Sequence, residues 1–280
     1  MEAAREAKKE IRELRNAMPK IAQFFKPMGG PQAGDWLASH KEPGQTFEEY
    51  LDSNPTKPTA ERSKLYIQPL GTFERDQRQI VDAAGDFLAA FYDLEVIKLP
   101  EKKLLATSTN VRKNDARQSR QFKTGYILNA VLKPALPADA AVLIAFTNED
   151  LYPDESMNYV FGQASLDDRV GVWSLARLDD NTSRQNFLIR TLKIATHETG
   201  HMVSMRHCTK YECLMSGTNH LQETDRRPVD ACPECTAKVC WISDARIDER
   251  YKKLANVCRR IGLDTEAEQF TRKSAAVFVD

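Results

Sequence analysis

No stretch of this 280-residue chain stays apolar for anything near the roughly twenty residues of a membrane-spanning helix. The opening residues, MEAAREAKKEIRELRNAMPK, mix charges of both signs and lack the apolar core of a secretory leader, so export is not expected. Net charge is missing too. The 40 Lys and Arg balance the 40 Asp and Glu, which removes the electrostatic argument for a nucleic-acid or membrane partner. There is no internal repeat and no low-complexity tract. Cysteine and histidine are scarce, at six and five, yet they are not scattered. Five of the cysteines lie between positions 208 and 240, and three of the histidines between 197 and 207. The expected compartment is the reducing cytoplasm, where such grouping favours metal over disulfides. The chain is also long enough to bury a core without covalent staples.

What is present reads as an N-terminal helix and arm, 1–60, followed by a body, 61–280. Residues 1 to about 26 have a helical pattern. Residues 27–59 are rich in Gly and Pro and read as an irregular arm with one short helix around TFEEYL. Trp36, Phe47, Tyr50 and Leu51 suggest that this arm packs on the body. KLYIQPL (64–70) reads as a strand, FERDQRQIVDAAGDFLAAFYD as an amphipathic helix and LEVIKLP as a second strand. A helix is expected over 121–135, then a continuous apolar strand at 140–148. MNYVFGQASLDDRVGVWSLARL gives two more strands joined by a polar turn at LDD. A helix over 183–203 ends in the histidine cluster, and the chain after 232 is helical almost throughout. Alternating strands and helices, followed by irregular and helical segments, define an α/β or α+β fold with a mixed, mostly parallel sheet.

Within ATHETGHMVSMRHCTKYECLMSG (195–217), His197 and His201 lie four apart on an apolar-periodic helix, so both imidazoles leave one face. That spacing lets two nitrogens meet one tetrahedral zinc ion. Glu198 sits about 100° around the helix from His197, poorly placed as a ligand but well placed to act as general base on a zinc-bound water. His207 can serve as third ligand only if the helix breaks near Ser204 and the chain reverses. Satisfied core histidines are the bland alternative, weakened by finding His, Glu, His and His together.

Cys208 and Cys213 are separated by four residues, Cys232 and Cys235 by two, and 18 residues lie between the pairs. Four thiolates so arranged can close around a structural zinc and hold the polar segment behind His207. Cys240 and Cys258 fit no pair and read as core thiols. Met215 reads as gap-filling core, compatible with an apolar floor beneath a metal.

HETGHMVSMRHCTKYECLM, followed by CPECTAK, resembles the archaemetzincins, a family of the metzincin clan of zinc metalloproteases. Their pattern is HExxHxxGxxHC, four residues, CxM and a later CxxCxxK, and Lys238 takes the final position. NYVFGQA, NHLQETDRRP, DWLASHKEPGQTF and LYIQPLG extend the likeness over about 35–245, with the last two closest to the longer, vertebrate-type members. The one departure is Ser204, where the family has glycine. The resemblance implies a zinc metallopeptidase domain over 61–280. Its sheet-bearing upper part would cover 61–203 and its lower part, with the methionine turn and the four-cysteine site, 204–280. It also implies two zinc ions, a catalytic one on His197, His201 and His207 and a structural one on Cys208, Cys213, Cys232 and Cys235. Glu198 would be the base and MNYVFGQA the edge strand beside the cleft. The expected substrate is a peptide or protein, with some family members aminopeptidase-like, and the expected state is a monomer.

Two rivals remain from the residues alone. A non-catalytic zinc protein of the same fold could bind peptides without cleaving them, although it would have little use for Glu198. A nucleic-acid-binding zinc module could use the basic run at 110–123, but would have no need of a HExxH helix.

Overall fold

The computed structural model describes residues 2–114, 118–165, 168–179 and 183–278. The chain forms two compact units, one of Met1–Lys57, Phe87–Asp93 and Ser204–Asp280, the other of Pro58–Asp86 and Leu94–Val203. The first unit opens with α1 (Glu2–Ala22), whose Leu14, Ala17 and Ile21 fall on one face and are buried. Pro19 sits on the exposed side of this helix. After α2 (Trp36–Ser39) comes α3 (Phe47–Asp52), the short helix expected around TFEEYL. Its start is a capping box. The Thr46 hydroxyl accepts from the Glu49 N–H at 3.2 Å, and the Glu49 carboxylate accepts from the Thr46 N–H at 2.8 Å. The arm is therefore ordered, with Phe47 and Tyr50 in the core.

The second unit contains β1 (Lys64–Leu70) and most of α4 (Arg75–Tyr92), then β2 (Glu95–Lys98), β3 (Val111–Asn114) and β4 (Ser119–Lys123). It continues with α5 (Thr124–Tyr126), β5 (Ala140–Thr147), β6 (Asp150–Tyr152), β7 (Gly162–Ser165), β8 (Val170–Ser174) and α6 (Arg184–Met202). Five strands pair in the order β2-β1-β5-β8-β7. All neighbours are parallel except β7, which runs antiparallel to β8 at the edge. The central strands β5 and β8 are buried along their whole length, as a parallel sheet covered on both faces requires. This is the mixed α/β architecture with a mostly parallel sheet that the sequence pattern predicts.

Three local readings change. Residues 121–123 are strand, not helix, because β4 pairs with both β3 and β6 in a small second sheet. The helix begins only at Thr124 and is wound as a π-helix over Ile127–Leu132, ending in a 3₁₀ turn. Its apolar residues Ile127, Leu128, Val131 and Leu132 still fill the core. The basic run at 110–123, which a nucleic-acid-binding module could have used, supplies β3 and β4; its residues 115–117 lie outside the described residues. Arg112 there is spent within the unit, donating to the Gln121 side chain at 2.9 Å and to the Met157 carbonyl at 2.6 Å. In MNYVFGQA only Gly162 onward is strand, and Val160 makes a single bridge to Leu151. Of the turn expected at LDD, Leu166 and Asp167 lie outside the described residues.

The first unit resumes with α7 (Leu221–Arg226), α8 (Pro233–Ser243), α9 (Ile247–Arg260) and α10 (Asp264–Phe278). α8 is buried almost all round, with α1, α3 and α9 packed on it. Among the described residues, no helix is long and apolar enough to cross a membrane.

Candidate metal centres

The second unit carries the paired histidines. Helix α6 starts at Ser183, whose hydroxyl accepts from the Asn186 N–H at 3.3 Å, and packs against β7 and β8. His197 and His201 come one turn apart with their Nε2 atoms 3.0 Å from each other and their rings nearly perpendicular at 88°. Two imidazole nitrogens so close can share a proton or a cation. Two ligands of a tetrahedral zinc ion lie about 3.3 Å apart, so the pair fits the metal. Glu198 occupies the intervening turn, half-buried. Burial raises its carboxyl above the ordinary carboxylate range, opposed by His201. The helix ends at Met202, and Ser204 takes the left-handed conformation at φ 67°, the break that the third-ligand reading requires.

Ser204 opens the last stretch of the first unit, where His207 stands against the arm. Its Nδ1 lies 2.9 and 3.1 Å from the two carboxylate oxygens of Glu42. The Trp36 indole meets the His207 ring edge-on at 5.3 Å and stacks on His40 at 3.7 Å. A Cβ at Gly217 would fall 2.4 Å from Trp36 Cδ1, so the residue after the methionine turn must be glycine for the indole to seat. The arm is tethered at both ends. Trp36 N–H donates to Glu223 at 3.0 Å, and Phe47 N–H donates to Glu234 at 2.8 Å. Lys238, the last residue of the CxxCxxK motif, is fully buried and donates to the Gln45 carbonyl at 2.5 Å.

Cys208, Cys213, Cys232 and Cys235 form one buried cluster in this unit, their sulfurs all within 4.8 Å of one another. The Cys208 and Cys232 sulfurs are 3.6 Å apart, far from a disulfide length and close to the roughly 3.8 Å between two thiolates on one zinc ion. Backbone N–H groups of Met215 and Cys232 donate to the Cys213 sulfur at 3.4 and 3.2 Å, as they would to a coordinated thiolate. Burial pushes the Cys213 and Cys232 thiols up, and a bound divalent cation would favour their thiolate forms. The donor set fits zinc. Met215 is fully buried, and its carbonyl accepts from the Cys208 N–H at 2.7 Å, closing the loop between the motifs. Cys240 and Cys258 are buried core thiols pushed up to about 12 by burial.

A third group, Asp35, His220 and Glu223, also draws together three possible ligands. Its charge is already matched. Arg226 donates to Asp35 at 2.5 Å and Arg227 to Glu223 at 3.1 Å, while backbone N–H groups of Gln32, Trp36 and Asn219 take the remaining oxygens. This cluster fastens the arm.

Paired histidines around a glutamate on a buried helix, with a mostly parallel sheet beside it, define a metallopeptidase class. The model for Peptidase family M54 matches residues 73–240, and the chain belongs to that family. Its relatives are archaemetzincins. Archaemetzincin-2 of Rattus norvegicus is 36% identical over 281 residues, covering 88% of this chain and 78% of the relative. The Homo sapiens protein of that name is 34% identical with the same coverage. The crystal structure of archaemetzincin from Archaeoglobus fulgidus shares the fold at a TM-score of 0.51 and 31% identity, covering 62% of this chain and 99% of that one. The Methanopyrus kandleri structure gives 0.55 and 27%, over 67% and 98%.

Sequence reasoning reached the histidines and cysteines through their spacing. It missed Glu42, Gln45 and the buried tether Lys238–Gln45. Trp36, Phe47, Tyr50 and Leu51 signalled that the arm packs on the body, but not which residues it meets there.

Proposed function

We propose that the chain is a zinc metallopeptidase that hydrolyses peptide bonds, with His197, His201 and His207 holding the catalytic zinc and Glu198 as general base. The observation that carries this reading is the 3.0 Å approach of the His197 and His201 Nε2 atoms with Glu198 in the turn between them. Zinc bound there supplies a Lewis acid that polarises the scissile carbonyl and acidifies water. Glu198 takes the proton of the attacking water and returns it to the leaving amine. Its half-buried setting favours the neutral form once the proton has arrived. Cys208, Cys213, Cys232 and Cys235 would hold a second, structural zinc, giving two per chain. The outer side of β7, at the sheet edge and packed on α6, offers backbone groups to an extended peptide. The reading is of a cytoplasmic monomer acting on peptides or proteins, with no nucleic-acid partner.

Glu198→Gln tests the assignment on peptides with free and with blocked amino termini. Turnover should fall at least about 100-fold while zinc content stays unchanged. Persistent turnover would remove Glu198 as the base.

A further inference from the structure

The carboxylate of the arm residue Glu42 lies against Nδ1 of His207, which leaves Nε2 as the nitrogen that could take a metal. Both carboxylate oxygens lie within 3.1 Å of Nδ1, and both residues belong to the same unit. A ring that donates its Nδ1 proton to a carboxylate is fixed as the tautomer whose Nε2 carries the lone pair, and is held in orientation. The arm is built to deliver this contact. Trp36 is seated between the His207 ring edge and the Cβ-less Gly217, and its backbone N–H is held by Glu223. On the other side of Glu42, Gly44 adopts φ 75°, and a Cβ there would fall 2.3 Å from Thr209 Oγ1. Gln45 is then clamped by Lys238 Nζ and by the Arg206 N–H, the backbone just before His207. Two close approaches and two clamps leave residues 36–45 little choice of path.

From this geometry we infer that Glu42 is a positioning residue of the catalytic zinc site, orienting His207 Nδ1 so that Nε2 coordinates the metal. The inference rests on the proposed three-histidine zinc site. It adds to that site a carboxylate from residue 42, within the DWLASHKEPGQTF stretch and upstream of the 73–240 span that the family model itself matches. The N-terminal arm is thereby part of the metal centre and not a passive extension of it.

The test is competition of the purified full-length, zinc-loaded protein with a chelator, following zinc release and melting temperature together. His207→Ala identifies the release phase that belongs to the histidine site. If that variant releases zinc as the wild type does, the three-histidine reading fails, and Glu42 is not at issue. With that phase assigned, Glu42→Ala should lose zinc from it about 10–100-fold more readily, the usual effect of removing a carboxylate behind a ligating histidine. The cysteine-site phase should not move. Glu42→Gln, which keeps an acceptor for Nδ1, should recover most of the retention and remains informative if the alanine variant fails to fold. A purely structural role would lower the melting temperature of both variants and leave chelator resistance intact. Wild-type resistance in a folded Glu42→Ala protein, or equal loss in the glutamine and alanine variants, would overturn the inference.

Discussion

A serine at φ 67° bears a cost of about 1–2 kcal/mol that glycine would escape, because its Cβ crowds the following carbonyl. On sequence grounds alone, Ser204→Gly should therefore stabilise the fold. The structure adds a compensating contact, since the Ser204 hydroxyl accepts from the Thr56 N–H at 3.0 Å. That bond is exposed and worth about 0.5–1.5 kcal/mol, so the two effects nearly cancel in the glycine variant. Alanine separates them, because it keeps the strain and loses the bond. Ser204→Gly should melt about 2–5 °C above Ser204→Ala and close to the wild type, read by scanning fluorimetry or calorimetry. Equal melting of the two variants would mean that the left-handed turn carries no strain. The position of the break was legible, because the third histidine demanded one. The Thr56 contact was not, because it joins positions 148 residues apart.

Among the elements, the arm shows how far tertiary contacts reorganise a Gly- and Pro-rich segment. Its short helix was legible around TFEEYL, a purely local feature, and the structure opens it on the Thr46–Glu49 capping box. The route of the arm was not legible, being set by distant partners such as Arg226, Glu223 and Lys238. The same holds for β4, where three residues with helical patterning became strand once two neighbouring strands offered hydrogen bonds. Asp35 gives the arm a pH dependence. Burial alone would raise its carboxyl, but the Gln32 N–H and Arg226 outweigh burial and hold it below the ordinary carboxylate range. A depressed carboxyl contributes its full stabilisation above the unfolded pKa of about 3.9 and loses it as the pH falls further, through the folded value. The arm should thus stay docked from neutral pH down to about 4 and loosen in stronger acid. Intrinsic fluorescence of the wild type minus that of Trp36→Phe, followed from pH 7 to 2.5, reads this directly. A transition centred between pH 5 and 7 would place the controlling group elsewhere.

For the whole molecule, the staple of the first unit is the four-sulfur cluster, because the loops around it are polar and its sulfurs join two cysteine pairs with 18 residues between them. Protein purified without chelator should contain about two zinc ions per chain. Cys235→Ser should reduce this to about one and lower the melting temperature by on the order of 10 °C, since structural zinc contributes folding energy outright. A wild-type content of one, unchanged in Cys235→Ser, would show that the cysteines stay reduced and metal-free.

The sequence by itself determined what short-range order can determine. Side chains four apart on a helix must share a face, so His197 and His201 had to meet. The continuous apolar run at 140–148 pointed to a buried strand, and the spacing of the clustered cysteines let them close on one another. Only the tertiary structure decided what arrives from far along the chain: Glu42 behind His207, Trp36 against Gly217, Lys238 buried under Gln45. Those contacts depend on which surfaces remain to be covered once the helices and sheet have packed, and no local spacing encodes that remainder.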